Sequence, residues 1–225
     1  MDYRKLQNGS DIRGVALDGV AGQSINLTET ACRDIARGFA LWLMNKTGKK
    51  DGLRVSVGRD SRLSGEMLCD WLCDSLAAQG LNVTNFGMAS TPAMFMSTVT
   101  EGFLFDGSVM ITASHLPFNR NGFKFFTAIG GLEKGDIKEI LEYAAGDAAT
   151  GLAAGSLEDG TFMDTYGKIL ADKIRAATGE EQPLKGFKVV VDAGNGAGGF
   201  YVDKVLKPLG ASDFSSRYTD GFGYT

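Results

Sequence analysis

Residues 111–126 read ITASHLPFNRNGFKFF and hold the chain's single histidine, His115, directly after Ser114. Pro117 and the pair Asn121-Gly122 shape this stretch as a tight loop, and Lys124 follows ten residues after the serine. A serine so placed is presented rather than buried. Three readings are open to it. A Ser-His-Asp hydrolase is disfavoured: adjacent residues rarely form a nucleophile–base hydrogen bond, no acid in the loop orients the imidazole, and no G-x-S-x-G elbow occurs. A phosphate carrier fits better, because a phosphoserine brings about −1.5 to −2 charges that cations must meet. The third reading is a plain turn between two strands.

Two further loops carry arginines. GRDSRLSG at 58–65 places Arg59, Asp60 and Arg62 before a helix N-terminus, where guanidinium groups can clamp phosphate or pair with Asp60 to brace the loop. GSDIRG at 9–14 leaves Arg13 open to the same two readings. In VVVDAGNGAGG, Gly194, Gly196 and Gly199 match the G-x-G-x-x-G fingerprint of dinucleotide binding, with Asp213 near the position of a ribose-binding acid. Too few residues follow it for even half of such a domain, so a dinucleotide-binding oxidoreductase is the weaker alternative.

Composition narrows the partners. The 225 residues carry a net charge of −4 and no basic run beyond Lys49-Lys50, which speaks against nucleic acid as a partner. Hydrophobic residues make up 44 % and charged residues 22 %, as in soluble globular chains. Cys32, Cys69 and Cys73 form no C-x-x-C pair and read as small buried hydrophobes. The polar start MDYRKLQNGSDIRG is no signal peptide. No apolar run approaches the roughly 18 residues of a membrane span, so no membrane association and a cytoplasmic location are expected.

The elements that must position these loops alternate. Residues 29–47 have Ala31, Ile35, Phe39 and Leu43 at helical spacing, with Thr28 to cap the start and Gly48 to end the helix. LRVSVG at 53–58 reads as a strand, and Ser64 to Gly80 as a helix capped by Ser64. LNVTNFG is a strand, TPAMFMSTV a short helix with Pro92 in its first turn, and GSVMIT a strand. GFKFFT reads as a strand after an Asn121-Gly122 turn, and KGDIKEILEYAAG as a helix. This order predicts an α/β fold: a mixed, mostly parallel sheet with helices on both faces. The loops at 58–65, 87–92 and 112–121 then gather at one sheet edge, where such folds bind ligands. Residues 146–160 are Gly-rich and aperiodic, as in a linker. A helix from 162, a strand FKVVVDAG and a further helix follow. One complete domain, 1–150, and an incomplete second α/β domain, 151–225, are expected, with an open strand edge that favours self-association.

The sequence TASHLPFNRNGFK resembles the phosphoserine loop of the α-D-phosphohexomutase superfamily, T-[AG]-S-H-N-P followed by N-G-x-K. SDIRG, VGRDSRLSG, STPA and VVVDAGNGAGG resemble further signatures of that family, in the family's order. The resemblance implies a mutase that interconverts hexose 1- and 6-phosphates through a phosphoserine and a hexose bisphosphate. It implies Ser114 as the phosphoserine and, through its phosphate, a ligand of Mg²⁺. Lys124 is implied as the acid or base on the sugar hydroxyl, His115 and Arg13 as active-site residues, and Arg59 and Asn121 as phosphate or substrate contacts. Two features depart from the pattern. Leu116 replaces the usual Asn, and the metal loop D-x-D-x-D-R is absent. They suggest an N-terminal portion inactive alone, or a non-catalytic homologue that binds sugar phosphate or a partner.

Overall fold

The computed structural model describes residues 2–212 and 217. After a 3₁₀ turn at Tyr3–Leu6, the chain forms β1 (Gln7–Asn8), β2 (Asp11–Val15), α1 (Glu29–Thr47), β3 (Arg54–Arg59) and α2 (Gly65–Ala78). There follow β4 (Asn82–Met88), α3 (Thr91–Val99), β5 (Gly107–Ile111), β6 (Arg120–Thr127) and β7 (Gly130–Gly131). The last elements are α4 (Lys134–Ala145), β8 (Leu157–Asp159) and α5 (Met163–Thr178). Helix α1 starts where Thr28 Oγ1 accepts from Ala31 N and ends at Gly48, whose φ of 69° suits the left-handed C-cap. Ser90 caps α3 in the same way, with Pro92 in its first turn.

The strand order is β1-β2-β6-β5-β3-β4-β8, with β7 beside β6. Strands β5, β3, β4 and β8 run parallel, while β1, β2, β6 and β7 pair antiparallel onto the β5 side. The sheet is therefore mixed, with helices on both faces. Val55, Val57, Val109, Ile111, Phe123 and Phe125 turn toward α1, α2 and α4, which supply Ile35, Phe39, Leu72 and Ile140 to one core. Met110 and Phe86 turn the other way, toward Met94 of α3 and toward Phe162 and Tyr166 at the start of α5. This two-residue alternation puts Lys124, between Phe123 and Phe125, on the α3 face.

Three expectations change. Asn121-Gly122 is not a turn: both residues lie inside β6, with Asn121 opposite Gly14 and Gly122 opposite Arg13. The chain has already reversed, at Arg120 N→Pro117 O. Gly122 is needed for close approach instead, since a Cβ there would lie 2.0 Å from Ile12 O. Residues 146–160 are not a plain linker, because Leu157–Asp159 adds a parallel edge strand to β4. Its side chains are exposed, and backbone pairing needs no apolar period. The expected strand at 187–194 amounts to isolated bridges, Lys188 with Ser212 and Asp192 with Arg217.

The three cysteines are buried and free. Cys69 and Cys73 face each other at 3.8 Å between sulfurs, and Cys69 also reaches Asn85 Oδ1 at 3.4 Å. Burial pushes the Cys32 thiol up to about 12, and the hydrogen bond to Cys69 together with burial raises Cys73 as well. Thiolate is the reactive form. Ellman's reagent at pH 8 should therefore leave all three thiols unmodified in the native chain and titrate three in urea. Fast native reaction of any one would show its pocket to be open.

Candidate active site

The parallel strands deliver three loops to one edge, as their order requires. Asp60 N donates to Ile111 O and Ala89 N to Arg59 O, which joins the loops after β3, β4 and β5. The centre of the arrangement is Arg62, a buried residue. Its Nη2 donates to Ser114 O at 2.8 Å and Leu116 O at 2.7 Å, and its Nη1 to Pro117 O at 2.9 Å and Arg120 O at 3.0 Å. Asp60 Oδ2 lies 3.6 Å from Nε. Carbonyls outside a strand ladder need other donors, and one planar guanidinium with five donors serves three in this loop and that of Arg120, the first residue of β6. Arg62 is thus the frame of the serine loop. It does not serve as the phosphate clamp that was one reading of GRDSRLSG.

Within that frame Ser114 takes φ 54°, a left-handed conformation uncommon for a residue with a Cβ. Its N–H donates to Thr112 Oγ1 at 3.0 Å, and its exposed hydroxyl lies 3.3 Å from His115 Nδ1. Serine and histidine therefore lie within reach of each other, against the expectation for adjacent residues. The contact is longer than a usual hydroxyl hydrogen bond. Leu116 contributes to the loop through its carbonyl, which accepts from Arg62.

Thr112 N donates to Gly122 O, and Gly122 sits opposite Arg13 on β2. Here the structure assembles charge. Asp11 Oδ2 accepts from Arg13 Nη2 at 2.8 Å, and both Asp11 oxygens lie 2.7 Å from Lys124 Nζ. Arg13 is buried, and its Nη1 is buried with no hydrogen-bond partner. The sequence reading missed Asp11, although the signal was there: Asp11 and Arg13 are two residues apart on a strand and so share a face.

The remaining candidates divide. Arg59, half-buried at the loop, is held only by long contacts, 3.4 Å to Asp60 O and 3.6 Å to Glu66 Oε2. Asn121, expected to touch substrate, is fully buried, and its amide is spent internally on Ser64 Oγ at 2.9 Å and on Gly122 N at 2.9 Å. The same bond corrects Ser64, whose hydroxyl caps no backbone N–H of α2 and instead ties that helix to β6. Gln23 was also missed. Its Oε1 accepts from Asn119 Nδ2 and Arg120 Nε, both at 3.1 Å, and so straps the loop after β2 onto the serine loop. Among the described residues no group of three or more His, Cys, Asp or Glu side chains could hold a metal ion.

The glycine stretch is no dinucleotide fingerprint. Gly194 and Asn195 both take positive φ, and the chain then enters a 3₁₀ turn at Ala197–Gly199 and a π-helical segment at Val202–Leu206. A regular strand before the glycines and an α-helix N-terminus after them, both needed to seat a pyrophosphate, do not occur there. Asp213 lies outside the described residues.

Removing Arg62 should be costly, because the residue is itself buried, four carbonyls each lose a donor and Asp60 loses its counter-charge. Arg62→Met is expected to lower stability by about 3 kcal/mol or more, and Arg62→Lys to recover little, since an ammonium lacks the fork. Urea unfolding of the two variants checks this. Near-native stability of Arg62→Met would show that water replaces the clamp.

Comparison with known proteins agrees with this geometry. A family model described as phosphoglucomutase/phosphomannomutase, alpha/beta/alpha domain I, matches residues 4–150. A phosphoglucomutase of Neisseria meningitidis serogroup B is 33 % identical over 207 residues, 92 % of this chain and 41 % of that protein. A phosphoglucosamine mutase of Carboxydothermus hydrogenoformans is 32 % identical over 208 residues, 92 % of this chain and 44 % of that protein. The crystal structure of a phosphoglucomutase/phosphomannomutase family protein from Burkholderia thailandensis matches with a TM-score of 0.76 at 27 % identity, over 99 % of this chain and 46 % of that one. The chain spans less than half the length of these relatives. Matched by that family model over residues 4–150, this chain belongs to the phosphoglucomutase/phosphomannomutase family.

Proposed function

We propose that this chain contributes the phosphoserine domain of a phosphohexomutase, an enzyme that interconverts hexose 1- and 6-phosphates. The observation that supports this best is Ser114 itself. Its hydroxyl is exposed on a loop whose backbone Arg62 holds in place, and the neighbouring strand pair carries Arg13, with an unpartnered donor, and Lys124. Phosphoryl transfer asks a protein mainly for position and charge neutralisation. In the proposed cycle the bond from phosphorus to Ser114 Oγ breaks as a bond to a sugar hydroxyl oxygen forms. Lys124, a cation at rest, first gives a proton to solvent; as the neutral amine it takes the hydroxyl proton, and it returns that proton in the reverse step. The resulting hexose bisphosphate turns over in the site and hands its other phosphate back to Ser114. His115 orients the bare hydroxyl, and Arg13 and Arg59 face the phosphoryl oxygens. Mg²⁺ is part of the same proposal for the whole protein, where the phosphate on Ser114 would be one of its ligands; among the described residues no group of three or more His, Cys, Asp or Glu could hold it. A cytoplasmic setting is part of the same proposal, and no helix of the described residues is long and apolar enough to cross a membrane.

Catalysis is proposed for the whole protein, because the relatives are more than twice as long as the matched segment. For the 225-residue chain alone, no turnover of hexose phosphate is expected in a coupled assay with Mg²⁺ and a hexose bisphosphate primer. Phe187 and Val190, 62 % and 63 % exposed, are expected to make the chain self-associate in sedimentation. Robust turnover by a monomeric chain would overturn both expectations. A non-catalytic sugar-phosphate binder gains no support from Leu116, whose carbonyl still meets Arg62.

Intact-mass and peptide analysis of the whole protein should find one phosphate, on Ser114, and Ser114→Ala should abolish mutase activity. Phosphate only elsewhere, or full activity in that variant, would refute the carrier role. Lys124→Met should lower kcat by roughly 10²–10⁴-fold, the range for a positioned acid–base group, while Ser114 still becomes phosphorylated. A change below about threefold would assign Lys124 to structure.

A further inference from the structure

We infer that Asp11 is a positioning residue of this site: it gathers Lys124 and Arg13 onto one carboxylate and turns the unused Nη1 of Arg13 toward an incoming phosphoryl oxygen. The inference rests on the phosphoryl-transfer reading above and assigns a role to a residue outside that set.

The geometry is specific. Asp11 and Arg13 are alternate residues of β2 and project from one face. On β6, Phe123 pairs with Ile12 and Gly122 with Arg13, so Lys124 arrives beside Asp11. Lys124 Nζ is 2.7 Å from both carboxylate oxygens, and Arg13 Nη2 is 2.8 Å from Oδ2. Gly122 makes room for this: a Cβ there would come within 2.9 Å of Arg13 Cδ. The side chains are largely out of water, 7 % exposed for Arg13, 14 % for Asp11 and 29 % for Lys124.

Two cations share one anion, so the cluster keeps a surplus positive charge. Arg13 Nη1 is buried without a partner, and a buried donor left unmet is unfavourable. An oxygen of a phosphate group satisfies it and neutralises the surplus charge together. Asp11 itself cannot act as the base, since both its oxygens are already occupied. Its contribution is to fix where the two cations point, and small misplacements of such groups cost phosphoryl-transfer enzymes up to about 10²-fold in rate.

The chain itself allows a test without any activity. A brief pulse of an amine-acylating reagent, read by peptide mass spectrometry, should label Lys124 at least fivefold faster in Asp11→Asn than in the unaltered chain. Asp11→Glu, which keeps a carboxylate, should restore most of the protection. The three buried thiols should stay closed to Ellman's reagent in all three proteins, which separates release of Lys124 from loss of fold. Inorganic phosphate titrated into chain with ¹⁵N-labelled arginine should move the Arg13 side-chain resonance and leave that of Arg62, already committed to four carbonyls, in place. In Asp11→Asn the Arg13 shift should lose its saturable form. Unchanged labelling of Lys124 in Asp11→Asn, or no phosphate response at Arg13, would overturn the inference. Ser114→Ala should leave every one of these readouts unchanged, so failure of the phosphoserine reading would be seen in the phosphate analysis and not here.

Discussion

A single buried guanidinium holds the candidate site together. The serine loop leaves the sheet after β5 and returns in β6, and between these strands no ladder partner exists for its carbonyls. Arg62 reaches across from the neighbouring loop and binds three of them, and also the carbonyl of Arg120 where β6 begins. With its own carbonyl pinned, Ser114 can hold a left-handed backbone that presents its hydroxyl outward. Such strain persists only where the surroundings over-determine it, and here the surroundings are one side chain, with Gln23 as a second strap.

The sheet explains why this clamp and the charged cluster coexist. Its parallel half brings the loops after β3, β4 and β5 to one edge. Its antiparallel half lays β2 beside β6, so that a segment from the start of the chain faces one more than a hundred residues later. Phe123 and Phe125 anchor β6 in the core formed by α1, α2 and α4, and Lys124 between them is forced to the opposite face. Aromatic burial thereby sets the direction of a charged side chain, and Asp11 and Arg13 on β2 meet it there.

The chain beyond residue 150 packs onto what precedes it. Phe162 and Tyr166, at the start of α5, pack into the aromatic core under α3 with Phe86 and Phe105, and β8 extends the first sheet. The Gly-rich passage before α5 concealed this, because an edge strand with exposed side chains leaves no hydrophobic signature. Further along, Ala171, Val205 and Leu209 form a small separate cluster, and the chain from 187 to 194 pairs only through isolated bridges.

Elements with strong local signals were legible in the sequence by itself. Helix α1 has a Thr28 cap, a regular apolar face and a Gly48 stop, and all three are local properties of the chain. The alternation of strands and helices gave the α/β class, and the ordered motifs gave the family resemblance and pointed to Ser114, His115, Lys124 and Arg13. Local signals failed where a residue answers to a distant partner. Asn121-Gly122 reads as a turn, yet Gly122 is there to let β2 approach and Asn121 to hold Ser64. Arg62 reads equally well as a phosphate ligand or an ion-pair partner, and only the tertiary structure commits its donors to four carbonyls 52 to 58 positions away. Asp11 lies 113 positions from Lys124. Short-range pattern encodes which face a side chain takes, whereas sheet pairing alone decides what that face meets.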